Sequence, residues 1–151
     1  MNHPHEEVCQ GYLELFANLT PARIPEFSNW VSEDIHFRDP FNDVRGIGKM
    51  QAILQDMFER SEVPKFSVLE HRLSGDTGFI RWHFSAQLPV LGRLDVEGVS
   101  RLQFNNQGLI SEHLDYWDSA PIYLKLPLVG ALLRRLKGRM ALPEVGRSAG
   151  S

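Results

Sequence analysis

The sequence predicts an α+β domain with helices packed on one face of an antiparallel sheet. Three observations lead there. Apolar residues recur at helical spacing through the N-terminal third, beyond Pro64 the period switches to two, and turn signals rich in Gly, Asn and Asp then separate the apolar runs at hairpin spacing. A strongly curved sheet turns such packing into a cone.

Val8, Tyr12, Leu15 and Leu19, supported by Leu13 and Phe16, mark an amphipathic first helix after Pro4. Thr20-Pro21 reads as an N-cap followed by proline at the first helical position, opening a short second helix with Ile24, Phe27 and Val31 inward. Ile35 to Asp39 suits a strand and Pro40 to Gly46 a turn or short hairpin. A third helix follows, burying Ile47, Met50, Ile53, Leu54 and Met57. Phe66 and Val68 then lead to the turn Ser74-Gly75-Asp76-Thr77-Gly78. In the next strand Ile80, Trp82, Phe84, Ala86 and Leu88 alternate with Arg81, His83, Ser85 and Gln87, giving one apolar and one wet face. Leu94, Val96, Gly98, Ser100, Leu102 and Phe104 repeat the pattern, and Asn105-Asn106-Gln107-Gly108 turns the chain into the last strand. Gly98 and the Pro89 to Gly92 stretch are the expected sites of the bulges or bends that curvature requires.

At 151 residues the chain supports one domain with a full core, assigned to residues 1–142 with a C-terminal amphipathic helix included. Residues 143–151, rich in Gly and Ser, are expected to be disordered. A formal charge of −3 without long runs of one sign offers no footprint for nucleic acid. Cys9, the single cysteine, cannot form an internal disulfide, no apolar run approaches the roughly 20 residues that span a bilayer, and the opening residues lack a secretory pattern. These features predict a cytoplasmic protein. Residues 123–140 are apolar with a basic border; they are expected to cover a pocket mouth or a second subunit, with contact to an anionic membrane surface as the alternative.

Two segments carry most of the chemistry, His36-Phe37-Arg38-Asp39-Pro40 and Glu112-His113-Leu114-Asp115-Tyr116-Trp117-Asp118. Both read as strands, yet both hold carboxylates where a structural strand favours Val, Ile or Thr. Alternation puts Phe37 and Asp39 on one face, and Ser111, His113, Asp115 and Trp117 on one face of the later segment. Where two such faces look into one apolar pocket, a carboxylate becomes basic enough near neutral pH to move protons. His113 and Asp115, two apart, form a base and its supporting group. Trp30, Phe37, Trp82, Phe84 and Trp117, together with Ser100, are candidate linings for an apolar ligand. Each residue also has a purely structural role open to it. Asp-Pro is a common turn opener, Tyr12 suits a core, Asp118 suits a helix cap, and Ile110, Leu114 and Tyr116 compete for the inward face. Strand parity sends His36 away from Asp39, so no metal site is expected.

The order of elements, with Phe37-x-Asp39-Pro40, Gly46 and Glu112-His113-x-Asp115-x-x-Asp118, resembles the nuclear transport factor 2-like superfamily, and within it the SnoaL-like and ketosteroid isomerase-like branches, over roughly residues 6–120. The resemblance implies a cystatin-like roll, a curved sheet around a long helix with a deep pocket between. It also implies that Tyr12 matches the isomerase tyrosine that donates to a forming oxyanion and Asp39 the isomerase general base, while Ser100 stands where the isomerase has its protonated second acid. In SnoaL-type polyketide cyclases a carboxylate on the last strand is the acid/base, and Asp115 matches it best, Asp118 second. The implied function is binding of a small hydrophobic carbonyl-type molecule, with cofactor-free isomerase, cyclase or dehydratase chemistry carried by Asp39, His113, Asp115 and Tyr12. The alternatives are a non-catalytic ligand-binding domain and a dimerisation module. In the latter a homodimer forms through the outer face carrying Arg81, His83, Val99 and Arg101.

Overall fold

A computed structural model describes residues 2–127 and 129–142. Helix α1 (Glu6–Ala17) buries Cys9, Tyr12, Leu13 and Leu15, and its first turn carries Glu6 and Glu7, where acids meet the helix dipole favourably. The expected second helix is a 3₁₀ segment, Pro21–Asn29, because Pro25 inside it lacks the N–H an α-helix would use. Ile24 and Phe27 are buried there, but Val31 already belongs to strand β1 (Val31–Arg38). β2 (Asp43–Arg45) folds back on β1 with Phe37 opposite Val44. Gly46, at φ +107°, then admits the chain to α2 (Ile47–Arg60), which buries Met50 and Leu54 and leaves Ile47, Ile53 and Met57 half-buried.

Four long strands follow: β3 (Glu62–Ser74), β4 (Thr77–Leu88), β5 (Gly92–Phe104) and β6 (Ile110–Trp117). The sheet runs β2-β1-β6-β5-β4-β3. Every pair is antiparallel except β1 and β6, which run parallel with Phe37 beside His113. A long crossover makes that pairing available, since parallel neighbours cannot be joined by a tight turn. Curvature does not arise where the sequence suggests. The β4–β5 register is unbroken from Thr77 opposite Gln103 to Leu88 opposite Gly92, so Gly98 marks no bulge. It faces Trp82 on one side and Trp117 on the other, and a Cβ at Gly98 would lie 2.6 Å from the Trp82 ring. The ladder breaks instead between Glu62 and Lys65, between Val68 and Glu70, between Val31 and His36, and at Gln103/Phe104. In the first of these breaks Val63 has φ +49°, a left-handed conformation that costs a β-branched residue about 1–2 kcal/mol. The Pro89–Gly92 stretch, expected as a bulge or bend, forms the β4–β5 turn, with Val90 at φ +66°.

α1 packs on β3 and on the 3₁₀ segment, and α2 on β1 and β3. Tyr12, Leu15, Phe27, Ile35, Met50, Leu102 and Ile110 are fully buried between these helices and the sheet. The chain divides after Asp118, within the 1–142 span that the sequence assigns to one domain. The second unit holds α3 (Ala120–Tyr123) and α4 (Val129–Met140). Gly130 allows close packing inside it, since a Cβ there would sit 2.5 Å from the Leu124 carbonyl oxygen. Leu132, Leu136 and Met140 fall at i, i+4 spacing on α4, among Arg134, Arg135, Lys137 and Arg139, which is the basic amphipathic pattern expected of this segment. Among the described residues no helix is long and apolar enough to cross a membrane. The tail assigned to 143–151 lies outside the described residues.

Candidate functional site

Strand pairing sets Ser100 directly opposite Asp115 and Leu102 opposite His113, while β4 brings Trp82 alongside and α1 lays Tyr12 across them. Five side chains thereby join in one hydrogen-bonded line. Trp82 Nε1 lies 2.8 Å from Ser100 Oγ, which is 2.5 Å from Asp115 Oδ1; the same carboxylate oxygen lies 2.6 Å from His113 Nε2, and His113 Nδ1 is 2.5 Å from the Tyr12 hydroxyl. The His113 and Asp115 side chains are only 6% and 15% exposed, so the line sits away from bulk water.

Donor and acceptor counting sets its polarity from the Trp82 end to Asp115. The Trp82 indole can only donate, so Ser100 Oγ accepts from it and gives its own proton to Asp115. An ionised Asp115 can only accept, so His113 donates from Nε2, and with the imidazole neutral its Nδ1 accepts from Tyr12. The phenol keeps its proton in this role. Burial, reinforced by the Asp115 charge and then by Cys9, pushes the Tyr12 pKa well above its usual value. Every donor thus points toward Asp115 Oδ1, and Oδ2 accepts no hydrogen bond from a described residue.

Beside this line lies a narrow apolar cavity of about 30 Å³, bounded by Leu13, Phe16, Phe66, Val68, Ile80, Trp82, Ser100 and His113. That space accommodates one or two waters, well below the few hundred Å³ of a typical ligand pocket. A second cleft of about 280 Å³ adjoins it, and Phe16 and Phe66 line both.

Of the sequence candidates, Tyr12, Trp82, Ser100, His113 and Asp115 come together. Phe37 packs on His113 with ring centroids 5.0 Å apart, and Phe84 meets Phe66 at a tilt with centroids 4.7 Å apart. Asp39 is not brought to this group. Its Oδ1 accepts the backbone N–H groups of Phe41 at 2.8 Å and Asn42 at 2.7 Å, and the Asn42 side chain caps both oxygens, which is the turn role open to an Asp-Pro pair. Trp30 is also elsewhere; its indole lies over Gly11 on α1, where a Cβ would approach within 2.3 Å of the ring. Trp117 meets Phe41 edge-on at 5.8 Å. His36 turns to the opposite side of the sheet, 2.6 Å from Asp43 and 3.5 Å from Glu112. Among the described residues no group of three His, Cys, Asp or Glu side chains is placed to hold a metal. Sequence reasoning missed Phe16, Phe66, Val68 and Ile80 as cavity linings. Their helical and twofold spacing marks them as inward, and only the third dimension leaves a gap between them.

No curated protein matches the chain. Solved structures do share its fold. A protein with a ketosteroid isomerase-like fold from Catenulispora acidiphila, solved in complex with trimethylamine, superposes with a TM-score of 0.68 at 12% identity over 81% of this chain and 95% of that one. A Jannaschia protein provisionally described as a SnoaL-like polyketide cyclase gives 0.66 at 17% identity over 95% and 99%. One from Mesorhizobium loti with the same provisional description gives 0.62 at 22% over 73% and 96%. The family model for the SnoaL-like domain matches residues 11–113, from α1 through the histidine of the hydrogen-bonded line. Curved sheet, N-terminal helices and that match agree, and the chain belongs to the SnoaL-like family.

Proposed function

We propose that the protein binds a small apolar carbonyl compound beside the Tyr12–His113–Asp115–Ser100 line and shifts a proton on it without a cofactor. The observation that carries this reading is the convergence of Ser100 and His113 on one oxygen of a single shielded carboxylate. In the proposed step Asp115 Oδ2, the oxygen left uncommitted, takes a proton from the carbon next to the carbonyl. Ser100 and His113 hold Oδ1 and so fix the direction in which Oδ2 points. Tyr12 acts through His113: its proton is spent on Nδ1, so it sets the imidazole tautomer rather than meeting the substrate oxygen. Asp39, with its oxygens occupied in the turn, carries no role in this mechanism.

The experiment is deuterium incorporation from D₂O into a panel of apolar ketones and β-keto esters, followed by proton NMR. Wild-type protein accelerates exchange next to the carbonyl, and Asp115→Asn reduces that acceleration by about 10²–10⁴-fold, the usual share of a general base.

A second reading, a ligand-binding domain without chemistry, draws on the same line. All but one of its polar positions are mutually satisfied, as in a buried structural network, and the cavity beside it is small. Absence of exchange across the whole panel selects this second reading. Dimerisation through the outer face is compatible with either. Arg81 there already pairs with Glu70 and Glu97, His83 with Asp95 and Arg101 with Glu112. A homodimer on this face therefore relies on the apolar atoms between those pairs more than on unpaired charge.

A further inference from the structure

We propose that Phe16 and Phe66 form a gate joining the small inner cavity to the outer cleft, and that the joined site takes an elongated apolar molecule ending in a carboxylate. The inference rests on the ligand-binding part of the proposed function and is independent of its chemistry. The two rings meet edge to face, with centroids 5.3 Å apart, and they are the side chains common to both spaces. On the inner side Phe16 reaches His113 at 5.7 Å between ring centroids and Phe66 reaches Trp82 at 6.0 Å, so the gate stands directly before the hydrogen-bonded line. Parting the rings merges the two spaces into about 310 Å³, the lower end of the range for small-molecule sites.

The backbone beside the gate is irregular and strained. Phe66 follows the first break in the β3 ladder, where neither Val63 nor Pro64 has a cross-strand partner in the register that runs from Glu62 opposite Gln87 to Lys65 opposite Ser85. Val63 there holds a left-handed conformation unfavourable for a β-branched side chain, and its side chain is exposed. A small backbone change at 63–64 that relieves this strain swings Phe66 with it.

The outer cleft identifies the far end of the occupant. Leu19, Met57, Phe58, Val63 and Pro64 make its walls mainly apolar, with Asn18 and Thr20 as polar members. Lys65 is the one charged residue among its linings, is exposed, and forms no ion pair with a described residue. An anionic end at Lys65 and a hydrocarbon body passing the two phenylalanines satisfy both features at once.

Octanoate is the test probe and octan-1-ol its neutral counterpart, each titrated into the isotopically labelled full chain and followed by NMR at the Phe66 and His113 ring signals. Octanoate is expected to shift both sets saturably. Lys65→Glu is expected to weaken octanoate at least tenfold and to leave octan-1-ol within twofold. Met57→Trp, which fills the outer cleft, abolishes the His113 shift for both probes, and Phe66→Leu, a milder change than removal of the ring, speeds the exchange between free and bound signals. Shifts confined to the surroundings of Lys65 with none at His113, equal binding of both probes before and after Lys65→Glu, or no saturable binding overturn the gate. Because every readout is binding, the deuterium-exchange result with Asp115→Asn stands or falls separately.

Discussion

Gly98 and Trp82 lie directly opposite one another across the β4–β5 pair, and the indole occupies the space that any side chain at position 98 would need. The same indole donates to Ser100, so the missing side chain on one strand lets the ring on the next reach the polar line. Gly98→Val forces the ring out of place. The expected cost is about 1–3 kcal/mol, the usual penalty for overfilling a packed interior, read as a lower urea midpoint with an unchanged slope. An unaltered midpoint rejects this role for the glycine.

Tyr12→Phe leaves His113 Nδ1 buried without its donor. A loss of about 1–3 kcal/mol at pH 7 is expected from stranding one buried acceptor. The pH dependence has a defined sign. The folded-state phenol titrates above its usual value, so the unfolded chain loses the proton first and unfolding gains as pH rises. The stability advantage of wild type over Tyr12→Phe is therefore full below pH ~10 and shrinks above it. Urea titrations of both proteins at pH 8 and pH 10.5 check this; a gap that widens at the higher pH contradicts it.

Cys9 is fully buried on α1, and burial, helped by the Glu6 charge, pushes its thiol up to about 12. The thiolate is the reactive form, so native protein resists iodoacetamide at pH 8 and reacts promptly once unfolded in urea. Rapid stoichiometric labelling of the folded protein is the outcome that rules this out. The same shift withdraws stability as pH climbs from the ordinary thiol range toward 12.

Glu6 in the first turn of α1 is held below the usual carboxylate range by its bond from Gln10 and, next, by His71 on β3. A depressed carboxylate stabilises the fold above its unfolded value and loses that contribution as pH falls. Amide protection at the start of α1, taken relative to the intrinsic exchange rate at each pH, is therefore expected to fall between pH 6 and pH 3 in wild type. In Glu6→Gln it is already low at pH 6 and changes less.

The sheet and its helices were legible because period and turn chemistry carry them: β4 and β5 read directly from strict alternation, and α1 from Tyr12, Leu15 and their neighbours. The inward face of β6 was ambiguous by period, since both His113 and Leu114 are buried. What settles it is Tyr12, 101 residues away, bonding to His113. Asp39 shows the limit more sharply. Its spacing from Phe37 is that of a pocket residue, yet three amides within three positions of chain claim its carboxylate first. Local hydrogen bonds form at little entropic cost, so they win over a distant pocket that periodicity can only suggest. Gly98 was read as a bend for want of any sign in the sequence that Trp82 would be its neighbour.

The insertion of β6 between β1 and β5 has a consequence for synthesis. As the chain leaves the ribosome, β1 emerges early, but its inner neighbour, Ile110–Trp117, comes more than 70 residues later. Until then β1 offers an open row of amides and carbonyls on one side and β5 another, each a template for a strand from a different nascent chain. A message truncated before codon 110 therefore yields a product with two sticky borders and no means of closing them, the kind of species that chaperones and proteases must intercept.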